Sequence, residues 1–153
     1  MTQKRTAADR HAGLAAAEQA CLRSGARLTP LRKRVLELVL VCGKPVGAYS
    51  LLRQLRTDGY GDAPPTVYRA LEFLQAQGLV HRIAKSNTFV ACSRPQDEHY
   101  GLIFVCRQCG GAVELEEQRV LKDIGRCADQ LGFRLPKQVF EIEGTCRDCR
   151  ADA

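Results

Sequence analysis

Two short cysteine pairs carry the strongest chemistry in the 153-residue sequence: Cys106-Arg-Gln-Cys109 and Cys146-Arg-Asp-Cys149, with 36 residues between them. A tight turn projects both thiolates of a CxxC to one side. Two such turns therefore make a tetrahedral four-thiolate site suited to zinc. The competing chemistry is a thioredoxin-like redox couple, which needs the motif at a helix N-terminus after a βαβ strand. Here the first pair falls in a strand-to-strand turn and the second lies four residues from the end of the sequence. The spacing thus predicts a structural zinc site that ties the last residues onto a small domain.

A second constellation lies in LVHRIAKSNTFVACSRPQDEH, residues 79–99, which holds two of the three histidines, His81 and His99, with Cys92 between them. If Ser86-Asn87 is a two-residue hairpin turn, His81 stands directly opposite Cys92 on one sheet face, with Cβ atoms about 5 Å apart. A three-residue turn would shift the register and break that pairing. His99 could fold back towards them, and Glu114, five residues past Cys109, is the preferred fourth ligand. That set of nitrogen, sulfur and oxygen donors suits zinc. The same residues also fit an ordinary half-exposed strand histidine and a buried thiol.

The elements that must position these groups follow from periodicity. Helical spacing covers residues 7–24, with Leu14, Ala17, Cys21 and Leu22 apolar. A second helix starts at Thr29 as N-cap with Pro30 first, and ends at Gly43. Further helices span about 48–57 and from Pro64 or Pro65 to Gln77. The period then changes to strand at LVHRIA and TFVAC. SRPQDEH reads as a hinge, followed by strands at YGLIFVC and AVEL, a helix over about 117–131, and a strand at QVFEIEG. The expected class is α+β: an N-terminal winged helix-turn-helix domain over residues 1–92, a hinge at 93–98 and a small α/β domain over 99–153. A core that small needs a staple. Cys21 and Cys42 fall on apolar helix faces and are expected in the core, and Cys127 packed or at an interface.

Charge divides along the same line. Residues 1–85 hold 14 Lys and Arg against 6 Asp and Glu, and residues 86–153 hold 9 against 11. A basic first half suits a polyanion. On the fourth helix, Val67, Ala70, Leu71 and Leu74 share one face. Tyr68, Arg69 and Glu72 fall on or near the opposite face, with Thr66 at its edge. A helix N-terminus favours phosphate, and arginine reads guanine bidentately in the major groove. No apolar run approaches the roughly 20 residues that span a membrane. Charged residues interrupt the alanine-rich start, so no export signal is expected and the cytoplasm is the expected compartment.

Several stretches together resemble the ferric uptake regulator superfamily: RLTPLRKRVLELV, PPTVYRALEFLQAQGLVHRI, FVCRQCG and the closing CRDC. GAYSLL, PPTVYRALEFL and FVAC are similar to the zinc uptake regulator branch. The resemblance implies a homodimer whose C-terminal domain dimerises and whose winged helices bind palindromic operator DNA when metal-loaded. It implies two zinc ions per subunit: a structural ion on Cys106, Cys109, Cys146 and Cys149, and a regulatory ion on His81, Cys92, His99 and Glu114. It also implies DNA contacts at Tyr49 and Arg69. DEHYGLIFVC has one histidine where iron- and peroxide-sensing branches use more histidine and carboxylate, which disfavours that alternative. No His-rich tail follows CRDCRADA, so a third metal site is in doubt. An enzyme is not expected, because every plausible zinc ligand is already used and no Ser-His-Asp set or phosphate loop occurs.

Overall fold

The computed structural model describes residues 6–95, 101–115, 117–135 and 139–151. Backbone contacts divide the chain into two compact units, Thr2–Asp97 and Glu98–Ala153. No helix among the described residues is long and apolar enough to cross a membrane.

In the first unit the chain runs α1 (Ala7–Arg23), α2 (Pro30–Cys42), β1 (Val46–Gly47), α3 (Ala48–Thr57), α4 (Pro64–Ala76), β2 (Val80–Ile83) and β3 (Thr88–Ala91). Local chemistry sets the helix ends. Thr6 Oγ1 accepts from the Asp9 amide at 3.2 Å and Asp9 Oδ2 accepts from the Thr6 amide at 2.8 Å, a reciprocal cap on α1. Thr29 caps α2 by accepting from the Arg32 amide. Gly78 follows α4 at φ +67°, a left-handed conformation that glycine adopts without strain.

Val35, Val39, Leu51, Leu55, Val67, Leu71 and Leu74 meet in one buried cluster between the helices, closed by Val80 and Phe89 of the hairpin. Each such side chain contributes about 1.5–3 kcal/mol on burial. The three strands form an antiparallel sheet in the order β1-β3-β2. Helices α3 and α4 are the helix-turn-helix, and the β2–β3 hairpin is the wing. β1 is only two residues long, too short for sequence periodicity to reveal.

The second unit holds β4 (Gly101–Cys106), β5 (Ala112–Leu115), α5 (Gln118–Gln130), β6 (Val139–Gly144) and α6 (Arg147–Ala151). The strand order is β5-β4-β6, with β4 antiparallel to β5 and parallel to β6. Among its described residues, Leu102, Ile103 and Cys106 of β4 and Leu121 of α5 are buried apolar side chains. That is a small core, as its length predicts.

One expectation about burial is corrected. Cys42, assigned to the core, is exposed at the last residue of α2. Leu22 is 70% exposed, because five residues past the buried Ala17 it stands about 140° round the helix, while Cys21 takes the inward position. Cys127 is exposed on α5.

Candidate metal centres and nucleic-acid interface

The four-cysteine cluster is a product of strand pairing. β4 ends at Cys106, whose carbonyl accepts from the Gly110 amide at 2.9 Å and whose amide donates to Gly111 at 2.8 Å. This tight turn, with Gly110 at φ +69°, presents Cys106 and Cys109 together. β6 runs parallel to β4 with Gly144 opposite Cys106, and the Arg107 amide extends the pairing to the Gly144 carbonyl at 2.9 Å. The chain therefore leaves β6 beside the turn. The Cys146 amide donates to Cys106 Sγ at 3.3 Å, and α6 carries Cys149 back one turn later.

All four sulfurs lie within 4.8 Å of one another, and Cys109 Sγ is 3.8 Å from Cys146 Sγ. Zinc–sulfur bonds of about 2.3 Å in a tetrahedron give S···S edges of about 3.8 Å, so the donor set fits a four-coordinate ion closely. The electrostatics agree. Backbone amides of Cys109, Cys146 and Gln108 pull the Cys106 thiol down to about 6. Cys149 is pushed up to about 12, first by its hydrogen bond to Cys146 and then by desolvation. One thiolate forms readily here, while four side by side require a cation to balance them. The second pair does open a short helix, but its sulfurs face those of the first pair rather than a lone redox partner.

The wing holds the second constellation in a different register from the expected one. The turn is four residues, Ala84 to Asn87, with Asn87 in the left-handed region at φ 50° and its Oδ1 accepting from Arg82 Nε at 3.0 Å. His81 consequently pairs with Val90, not Cys92. Cys92 continues the ladder by donating its amide to the Leu79 carbonyl at 3.0 Å. The slip is two residues, an even number, so it preserves the sheet face. His81 and Cys92 become diagonal neighbours rather than opposed ones, and their ligand atoms still lie within 4.8 Å. His81 is 9% exposed and Cys92 4%. Glu114 lies on β5 of the second unit, half-buried, opposite Ile103. His99 lies outside the described residues.

Of the four residues assigned to DNA, Tyr49 is 69% exposed at the start of α3. Arg69 is exposed on α4 and its guanidinium makes no hydrogen bond or ion pair among the described residues. Thr66 is half-buried in the first turn of α4, its amide donating to the Ala63 carbonyl at 2.9 Å. Tyr68 lies between the two faces: it is half-buried and packs against the core cluster. Its position borders the apolar stripe, and an aromatic ring there gains by covering it.

An ion pair that periodicity did not reveal ties the helix-turn-helix to α2. Arg34 Nε meets Asp58 Oδ2 at 2.7 Å, and Gln54 Nε2 donates to Asp58 Oδ1 at 3.4 Å. Asp58 is the C-cap of α3, where the turn towards α4 begins. The partners are 24 positions apart, beyond any helical repeat.

A helix-turn-helix with a wing, followed by an α/β unit that gathers four cysteines, is the architecture of a family of regulators. The sequence model of the ferric uptake regulator family matches residues 23–143, and the chain belongs to that family. It is 39% identical over 137 residues to the zinc uptake regulation protein of Escherichia coli (strain K12), covering 89% of this chain and 80% of that one. It is 31% identical over 128 residues to the zinc uptake regulation protein of Mycobacterium tuberculosis (strain ATCC 25618 / H37Rv), covering 84% and 98%. A solved structure of a zinc uptake regulator complexed with zinc and DNA matches with a TM-score of 0.83 and 36% identity, covering 97% of this chain and 98% of that chain.

Proposed function

We propose that this chain is a zinc-responsive transcriptional repressor that binds palindromic operator DNA when zinc-loaded and controls genes of zinc uptake. The observation that carries this reading is the buried His81–Cys92 pair on the wing. β2 follows directly on the helix that presents Arg69, so metal at this pair acts on the DNA-reading element. Each subunit holds two zinc ions. Cys106, Cys109, Cys146 and Cys149 form the structural site, and His81, Cys92, His99 and Glu114 the regulatory one. Residues 1–92 bind DNA through Tyr49, Thr66, Tyr68 and Arg69, residues 93–98 are the hinge, and residues 99–153 dimerise. Zinc at the regulatory site selects the DNA-competent arrangement by binding it more tightly than the alternatives.

A homodimer is supported by the sheet of the second unit. Val113, Phe104 and Ile142 stand in one row across its three strands, 56%, 44% and 41% exposed. An apolar row of that kind fits a second copy better than water. Such a repressor works in the cytoplasm, where the thiols stay reduced. Four thiolates close a zinc coordination sphere and leave no open position for catalysis.

The test is metal analysis of protein purified under limited metal, followed by operator binding with zinc and with ferrous iron. Two zinc ions per subunit and zinc-dependent binding are expected. The alternative, an iron- or peroxide-responsive regulator on the same fold, requires ferrous iron to support binding where zinc does not. Sulfur donors at both sites favour zinc.

A further inference from the structure

The basic residues of the first unit fall into two groups. Lys33 is neutralised by Glu18 at 2.6 Å, and Arg34 by Asp58 and Glu37 at 2.7 and 3.1 Å. Arg53 and Arg56 of α3 have no acidic partner among the described residues; Arg53 reaches only the Ser50 hydroxyl, at 3.5 Å. Both are exposed. At about 100° per residue, Tyr49, Arg53 and Arg56 fall within a sector of about 60°. That sector faces away from Ala48, Leu51 and Leu55, which bury the other side of the helix. The three side chains run about 10 Å along the axis, roughly the rise of three nucleotides in one strand. In a helix-turn-helix the first helix crosses the DNA backbone while the second reads bases. Arg56, in the last turn, also complements the helix dipole, but Arg53 in the middle does not.

We propose that Arg53 and Arg56 extend Tyr49 into a phosphate-binding stripe along α3 that seats the duplex backbone without reading its sequence. This rests on the DNA-binding function proposed above and adds to it the residues that set affinity rather than specificity. Each arginine releases counterions from one phosphate, which steepens the fall of affinity with salt by about 0.9 in log–log slope.

The experiment uses the zinc-loaded full-length protein, an operator duplex and a random duplex, titrated between 50 and 200 mM salt. In the dimer the variant Arg53→Gln with Arg56→Gln removes two arginines from each subunit, so the slope should become shallower by about 3.6, that is, lose about 3-fold of salt sensitivity per arginine over this range. Affinity should fall by the same factor on both duplexes, leaving their ratio unchanged. Arg53→Lys with Arg56→Lys should keep the wild-type slope, and Lys33→Gln, whose charge is already paired, should keep it too. An unchanged slope in the Gln variant, an equal drop for Lys33→Gln, or a loss confined to the operator would each overturn the stripe. If the wild-type protein binds neither duplex, the proposed function itself fails. If the wild type binds and the slope does not move, only the stripe fails.

Discussion

Cys92 and Cys106 are both buried thiols, and the same substitution should have different consequences at each. Cys106 shares its site with three sulfurs and accepts from the Cys146 amide. A structural zinc ion contributes about 10–16 kcal/mol of apparent binding free energy to folding, and the second unit has little apolar core to replace it. Cys106→Ser should therefore abolish the structural zinc and unfold the second unit, read as loss of the dimer in light scattering and of strand signal in circular dichroism. A folded, dimeric variant would remove the structural role from the cluster. Cys92 sits instead at the edge of a well-filled core. Cys92→Ser should cost only about 1–2 kcal/mol, the scale of a poorly paired buried hydroxyl. It should lower bound zinc from two ions to one and leave the fold intact. Zinc should no longer tighten operator binding, a response of about 5- to 150-fold in a typical coupled system. Zinc-dependent repression surviving in that variant would end the regulatory assignment.

At the scale of elements, the Arg34–Asp58 pair holds α2 against the turn between α3 and α4. The Arg34 guanidinium, first by its hydrogen bond, holds the Asp58 carboxyl below its ordinary value of 3.8. A carboxyl depressed in the folded state adds stability above its unfolded pKa and loses it as pH falls through the folded value. Asp58→Asn should therefore lower the urea midpoint at pH 7, and the gap from wild type should close as pH falls below about 3.8. An equal gap at pH 7 and pH 3 would show that the loss is one of packing rather than charge. Such a tie between distant positions is invisible to periodicity, whereas the caps at Thr29 and Gly43 and the apolar stripe of α4 were legible because each is written within one turn of helix. The wing shows the boundary between the two cases. Both strands could be read from their residues, but their register depends on the conformation of Asn87 and its bond from Arg82. Ser86-Asn87 was the wrong two-residue turn, yet His81 and Cys92 kept a shared face because the error was even. Cys42 was misplaced for a related reason. A helical wheel gives direction, but not whether a neighbouring element arrives to cover it.

At the scale of the whole molecule, the proposed function couples two ligands. Zinc would be held by nitrogen, sulfur and carboxylate groups, and operator DNA by a basic unit whose charge the second half of the chain lacks. If zinc at the regulatory site raises operator affinity by some factor, operator DNA must raise zinc affinity at that site by the same factor. The measurement is a competition titration of the regulatory zinc against a chromogenic chelator, made with saturating operator duplex and again with random duplex. The structural zinc stays bound throughout and serves as the internal reference. Operator should tighten the regulatory zinc by about 5- to 150-fold relative to random DNA, the usual size of such couplings. That factor should match the one obtained by titrating operator into protein with one and with two zinc ions per subunit. A regulatory zinc affinity that is the same on both duplexes would mean that this metal does not govern DNA binding, however well His81 and Cys92 hold it.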